Sequence, residues 1–179
     1  MRHLIVFSTA VDWINERFGR IATWLVLLAC LVSAGNALSR YAISLSSNAW
    51  LEVQWYMFGA IVMLGGPYTL KLNEHVRVDV LYGRLSTRAQ IWIDIVGGLL
   101  FLLPAMAIIG WMSWPMFVNS WQIGETSANA GGLLRWPARL LIPLGFLLIS
   151  LQGVSEIIKR IGALTGDAPT PPQYEKPLQ

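Results

Sequence analysis

Residues 52–88, which read EVQWYMFGAIVMLGGPYTLKLNEHVRVDVLYGRLSTR, decide the fold. The apolar part, residues 53–70, is interrupted near its end by a glycine pair and a proline. About 18 apolar residues are enough for a helix to cross a hydrocarbon core of roughly 30 Å. A basic, amphipathic segment follows directly, which is typical of a transmembrane helix that ends at the cytoplasmic face.

The composition places the chain among integral membrane proteins. Of its 179 residues, 55% are hydrophobic and only 13% are charged, whereas soluble domains carry about 25% charged residues. The net charge of +3 does not indicate a nucleic acid partner, because basic loops are common on the cytoplasmic side of membrane proteins. The single cysteine, Cys30, lies in an apolar run and can form no internal disulfide.

Four apolar segments predict an all-α integral membrane protein with four transmembrane helices, which together form a membrane domain over residues 18–160. They cover about residues 21–38, 50–70, 91–118 and 136–158. Pro104 and Pro115 are expected to bend the third helix. A signal peptide is the competing interpretation of the first segment. That segment is longer than the usual apolar region of a signal peptide, so we interpret it as a retained helix.

The two ends of the chain are predicted to differ from the membrane domain. In residues 1–17, apolar residues recur every three or four positions, which predicts an amphipathic helix at the membrane interface. A frayed polar tail is the alternative for this segment. Residues 161–179 are predicted to be a disordered polar tail in the cytoplasm, because most of them are polar or proline.

The distribution of basic residues predicts that both termini are cytoplasmic. Ten lysines and arginines lie in the two terminal segments and in the connection 71–88, against three on the opposite face. The more basic side of a membrane protein is normally the cytoplasmic one. The tryptophans all fall near the predicted ends of the spans, as aromatic belts require.

Few ionisable residues lie within the predicted spans, and these lie near the span ends. Glu52 is close to the outer end of the second span, and Asp94 is one turn inside the third. Glu156 is near the inner end of the fourth span, where we expect it to pair with Lys159 and Arg160. Charged residues at these positions fit two interpretations: charges that lie at the level of the lipid headgroups, or groups with a function.

The sequence contains no pattern of residues typical of catalysis or cofactor binding. His3 and His75 are the only histidines, and both lie outside the spans, so paired haem ligands are lacking. One cysteine and two distant histidines cannot build a zinc site. A nucleophile elbow and a glycine-rich phosphate loop are also missing from the sequence. We therefore expect no enzymatic activity, no metal and no cofactor.

Several motifs together resemble the small membrane subunit of TRAP (tripartite ATP-independent periplasmic) transporters, the DctQ type. They are EVQWY at 52–56, NEHVRVD at 73–79, DIVGG at 94–98, ETSANAGGL at 125–133, IPLGF at 142–146 and LQGVSE at 151–156. The resemblance covers about residues 20–160, and HVRVD is its most specific part.

This resemblance implies a sodium-driven transporter of three parts in a bacterial inner membrane. A soluble periplasmic substrate-binding protein captures the substrate, usually an organic acid. A large membrane permease subunit holds the substrate and sodium sites and moves. The present chain would be the small accessory subunit that braces the large one, with the lipid bilayer around both.

The matching motifs contain the residues that we expect at subunit contacts or as structural supports: Glu52, Trp55, His75, Arg77, Asp79 and Asp94. We expect residues 75–85 to form a helix, although a strand also fits the alternating valines. His75 and Asp79 would then be neighbours that make the connection a rigid brace. The alternative is a basic helix held only by anionic lipid.

The outward loop after the third span contains three candidate contacts for the periplasmic protein, Glu125, Thr126 and Asn129. A plain solvated connector is the alternative for this loop. For the whole chain, the alternative function is a self-sufficient small transporter or channel that assembles as a homo-oligomer.

Overall fold

A computed structural model describes residues 2–45, 47–74, 82–83 and 85–169 of the chain. The helices are α1 (Arg2–Ile43), α2 (Asn48–Leu72), α3 (Thr87–Gly97), a π-helical turn (Gly98–Leu102), α4 (Leu103–Gln122) and α5 (Trp136–Thr165). The π-helical turn joins α3 to α4, so these three elements form one long helix. Within the described ranges there is no strand, only an isolated β-bridge between Thr126 and Leu134. The predicted all-α class is confirmed.

Three of the described helices are long and apolar enough to cross a membrane. They are α1, the continuous helix Thr87–Gln122 and α5. Helix α2 is not among them, and its sequence includes the polar residues Glu52, Gln54 and Lys71. The count of four spans and the cytoplasmic location of both termini therefore stay predictions.

Helix α1 runs without a break for 42 residues, so the predicted boundary after residue 17 does not correspond to a helix end. The charges at this boundary pair on the helix surface instead of ending the helix. Glu16 pairs with Arg20 one turn later and with Lys71 of α2. At 1.5 Å per residue the helix is about 63 Å long, roughly twice the thickness of a hydrocarbon core. The interfacial location of residues 1–17 stays a prediction.

The face of α1 that packs against other helices is formed by small and polar residues. The buried residues are Ser8, Val11, Asn15, Gly19, Ala22 and Ala29. The recurring apolar residues of the predicted interfacial helix include Val11, which is buried, and Leu4, Phe7 and Ile14, which are exposed. Lipid is as apolar as leucine, so large apolar side chains gain little by moving from lipid to another helix. Helices within a membrane therefore contact one another mainly through small and polar residues. The buried face of α1 has the composition expected of a membrane helix.

Helices α1, α2 and α5 pack against one another, and the helix formed by α3 and α4 packs on α5. Glycines permit the closest approaches. A Cβ atom added at Gly145 of α5 would lie 2.7 Å from the Cβ of Met63 on α2. A Cβ atom added at Gly153 would lie 2.6 Å from Leu102. A side chain at Gly145 would require a shift of α2, because the backbone carbonyl of Met63 is also close, whereas one at Gly153 would require the Leu102 side chain to move.

Two helices extend further than the sequence suggested. Helix α2 continues through Pro67 and ends where Asn73 adopts a left-handed conformation with φ of 59°. Helix α5 continues to Thr165, so residues 161–165 are helical and do not belong to a disordered tail. Gly166, with φ of 82°, ends this helix, as a left-handed glycine commonly does. Residues 170–179 lie outside the described part of the chain.

A π-helical turn, Gly98–Leu102, lies just before Pro104, and the bends predicted at Pro104 and Pro115 stay predictions. The backbone N–H of Leu103 donates to the carbonyl of Gly98, five residues earlier. A proline ring would clash with the carbonyl four residues before it in a regular α-helix. In a π-helical turn the backbone hydrogen bonds join residues five apart instead of four. Such turns are a common cause of irregularity in helices.

The helices run so that the start of α1 and the end of α5 lie at one end of the bundle. Near the start of α1, the Ser8 hydroxyl is 2.6 Å from that of Ser155, which is close to the end of α5. We call this the termini end. At the opposite end, residues 123–135 join α4 to α5, and the Asn48 side chain donates to the Ala130 carbonyl at 3.1 Å. We call residues 123–135 the end loop.

Candidate functional site

Glu52, one turn into α2, is the centre of the end that carries the end loop. Its side chain is buried, with the residue 4% exposed. The carboxylate accepts hydrogen bonds from the Ser127 hydroxyl, from Asn129 Nδ2 at 2.7 Å and from the Leu133 backbone N–H at 2.8 Å. All three donors belong to the end loop. Because hydrogen bonds to a charged group are stronger than neutral ones, Glu52 anchors this loop to α2.

The end loop is also closed by its own backbone. Its bonds run from Ser127 N–H to the Leu133 carbonyl (2.9 Å), from Gly132 N–H to the Asn129 carbonyl (2.9 Å) and from Arg135 N–H to the Glu125 carbonyl (2.8 Å). Gly131, with φ of 71°, supplies the left-handed conformation at the tip. The loop is therefore a compact hairpin-like structure.

Further contacts hold the end loop to the start of α5 and to α2. The Glu125 carboxylate pairs with Arg135 at 3.2 Å and with Arg139 at 2.6 Å. The Tyr56 hydroxyl donates to the Leu134 carbonyl at 3.1 Å. The loop thus depends on two helices that are distant in sequence, and it fixes one against the other.

The three candidate contacts for a periplasmic protein differ in their surroundings. The side chains of Glu125 and Asn129 have partners within the chain, as described above. Thr126 is exposed and is bridged to Leu134 through the backbone. Glu125 and Asn129 therefore determine the shape of the loop, and the contact role of all three residues stays a prediction.

Gln152 is the centre of the polar contacts at the termini end and is fully buried. Its amide nitrogen donates to Asp12 and to Glu156, both at 2.9 Å, and its oxygen accepts from Asn15 at 2.7 Å. The Lys159 ammonium group pairs with Asp12 at 2.8 Å and with Glu156 at 2.6 Å. The predicted pairing of Glu156 with Lys159 is confirmed. Together these contacts connect α1 to α5.

Asp94 of α3 is a second connection at the termini end. Its carboxylate accepts from Arg160 Nε of α5 and from the Tyr82 hydroxyl, each at 2.9 Å. Tyr82 lies in the connection between α2 and α3. Asp94 therefore ties this connection and α3 to α5, which agrees with a structural role.

The remaining predicted residues fall into two groups. Trp55 is 67% exposed, so it contributes little to packing within the chain. His75, Arg77 and Asp79 lie outside the described residues. Most of residues 75–85 lie outside them too, so the choice between a helix and a strand there stays open. The brace role assigned to His75 and Asp79 stays a prediction.

Sequence reasoning missed several residues that these contacts use. The main ones are Asp12, Asn15, Ser127, Leu133, Arg139 and Gln152. Gln152 carried a usable signal, since an amide inside an apolar segment favours an interhelical hydrogen bond. Leu133 carried none, because it takes part only through its backbone N–H.

The polar groups at both ends are arranged for structural support. In the part of the chain that the structure describes, no three histidine, cysteine, aspartate or glutamate side chains come together that could hold a metal ion. Glu52, Asp94, Glu125 and Glu156 are each held by donors of the same chain. Such contacts fix the relative positions of helices.

Comparison with known proteins identifies the family. The family model described as "Tripartite ATP-independent periplasmic transporters, DctQ component" matches residues 29–163. Searches of curated proteins and of solved structures found no match. The matched range covers most of the chain and includes Glu52, the end loop, Asp94 and Gln152. Together with its long apolar helices, the match shows that this multi-pass protein of the bacterial inner membrane belongs to the DctQ family, the small membrane subunits of TRAP transporters.

Proposed function

We propose that this small subunit braces the large permease subunit of a sodium-coupled importer of organic acids. In this proposal the large subunit binds the substrate and the sodium ions and moves, while the small subunit stays rigid. The chain crosses the membrane four times, at about residues 21–38, 50–70, 91–118 and 136–158, with both termini in the cytoplasm.

The observation that carries this proposal is the pairing of carboxylates at both ends of the bundle. A group that moves an ion across a membrane must bind and release it. Glu52 and Asp94 instead hold an end loop and a helix through several donors each. Since these contacts tie together elements that are far apart in sequence, they favour a rigid support over a moving carrier.

Recovery of the complex tests the brace proposal. A tagged chain expressed with its large subunit should bring that subunit through purification in detergent. Asp79→Asn should lower this recovery and the transport rate, since Asp79 is proposed to fix the connection between the second and third spans. Glu74→Gln is the matched control, because Glu74 is a nearby exposed acid. Wild-type recovery and transport in Asp79→Asn would mean that this segment is only a lipid anchor.

We also propose that the end loop faces the periplasm and contacts the substrate-binding protein. Its folded shape supports this role, because a rigid loop loses little conformational freedom when it binds. Alanine at Thr126 should weaken docking directly, and alanine at Glu125 or Asn129 should weaken it by loosening the loop. Affinities equal to wild type in all three variants would contradict the contact role.

The proposed orientation rests on the distribution of basic residues, and the exposed tryptophans indicate the two membrane interfaces. Trp50, Trp55, Trp111, Trp114 and Trp121 are exposed towards one end, and Trp13, Trp24 and Trp92 towards the other. This is the distribution of two aromatic belts. The test uses single cysteines at Ile123 and Asp167 in a Cys30→Ala background. A membrane-impermeant maleimide should label position 123 in intact spheroplasts and position 167 only after permeabilisation. The opposite pattern would reverse the orientation.

A further inference from the structure

A cavity of about 650 Å³ opens at the termini end between α2, the helix formed by α3 and α4, and α5. Most of its lining is apolar and includes Phe101, Leu102 and Met106. One end is polar and is lined by Asp94, Glu156 and Arg160. The cavity is therefore amphipathic along its length.

Glycines and the π-helical turn make room for this cavity. Gly97 lines it, and a Cβ atom added there would meet nothing within 4 Å. The π-helical turn, Gly98–Leu102, forms part of the same wall. Phe101 at the rim is 73% exposed, so the cavity is open towards the outer surface of the bundle.

The cavity is polar at one end and apolar beyond it, in the same order as the headgroups and acyl chains of a lipid monolayer. Its polar end lies among the ionic contacts of the termini end, where Lys159 pairs with Asp12 and Glu156. Its apolar part extends along α4, a helix of apolar composition. Because the chain is a membrane protein, the amphiphile that reaches this surface is a bilayer lipid. We propose that the cavity binds one zwitterionic phospholipid, with an acyl chain in the apolar part and the headgroup at Arg160 and Glu156.

Charge complementarity favours a headgroup without net charge. The Arg160 guanidinium lies 2.9 Å from the Asp94 carboxylate and 3.9 Å from that of Glu156. Among the described residues, Asp94 thus balances the charge of Arg160, and Glu156 and Asp12 balance that of Lys159, so these residues offer no excess attraction to an anionic lipid. A zwitterionic headgroup places its phosphate near the guanidinium and its ammonium group near the Glu156 carboxylate. The site then matches both charges of the lipid.

The test counts the lipids that stay bound to the full chain. The chain is reconstituted in nanodiscs of equimolar dioleoyl phosphatidylethanolamine and phosphatidylglycerol, and native mass spectrometry measures the retained lipids. Gly97→Leu fills the cavity with a side chain. The matched control is Gly35→Leu on α1, which places the same side chain in a different cavity, between α1 and the start of α2.

Wild type and Gly35→Leu should retain one more phosphatidylethanolamine molecule than Gly97→Leu. Arg160→Gln should lower the retained fraction several-fold. Equal lipid counts in the two glycine variants would overturn the proposal. Loss of phosphatidylglycerol in place of phosphatidylethanolamine would overturn the assignment of a zwitterionic headgroup.

Discussion

Replacement of Gln152 by methionine tests whether the polar contacts at the termini end hold α1 against α5. Gln152 is fully buried and makes side-chain hydrogen bonds to Asp12, Asn15 and Glu156. Methionine is unbranched and of similar length, so it fills the same space without a strong donor or acceptor. The variant therefore removes the bonds and keeps most of the packing.

The expected loss follows from the bonds that cross between helices. Gln152 makes two of them, to Asp12 and Asn15, since Glu156 belongs to the same helix. Interhelical hydrogen bonds in membrane proteins contribute about 0.6 kcal/mol each on average. The amide nitrogen of Asn15 would also stay buried without its partner, which costs about 1–3 kcal/mol. We expect the free energy of unfolding to fall by about 2–4 kcal/mol.

The measurement is reversible unfolding in mixed micelles of increasing SDS content, followed by circular dichroism. Gln54→Met is the matched control, because the buried amide nitrogen of Gln54 has no hydrogen-bond partner among the described residues. Removal of this unsatisfied group should leave stability unchanged or raise it. If Gln152→Met costs no more than Gln54→Met, the contacts at the termini end do not stabilise the bundle.

Three further variants test the other contacts. Glu52→Gln should accelerate amide hydrogen exchange across the end loop, because an amide cannot accept from all three donors, whereas the exposed control Glu74→Gln should exchange like wild type. An unchanged rate in Glu52→Gln would show that the loop backbone is sufficient. Tyr56→Phe, which removes one bond to the loop, should accelerate exchange less than Glu52→Gln, and a larger effect would contradict the central role of the carboxylate. Gly145→Ala should lower the unfolding free energy because its methyl group meets α2, while Gly35→Ala, in open space, should raise it by up to about 1 kcal/mol. Equal effects of the two alanines would refute the close packing of α2 on α5.

Much of the helical architecture could be predicted from apolar runs, because burial in lipid imposes a long, uninterrupted pattern. The boundaries were less accessible. The periodicity of residues 1–17 suggested a boundary before the first span, yet Glu16 pairs with Arg20 and Lys71 and the helix continues. The end of α5 depended on the left-handed conformation of Gly166, which a glycine in a polar stretch does not specify by itself.

The partners of the candidate residues could not be predicted from local patterns. Glu52 was identified as important, but its donors lie 75 to 81 residues later in the chain. No periodicity within α2 encodes the path of a distant loop. The same holds for Gln152 and Asp12, which are 140 residues apart. Helix periodicity locates an exposed or buried face, whereas the identity of the facing residues depends on the packing of the whole bundle.

The most direct measurement of the central claim is sodium-driven uptake of organic acids into vesicles. Three preparations are compared: this chain alone, the chain with its large subunit, and both with the periplasmic substrate-binding protein. An accessory subunit should give no uptake alone, and uptake should require the large subunit and increase with the periplasmic protein. Sodium-driven uptake by vesicles that contain only this chain would contradict the account and would support a self-sufficient transporter.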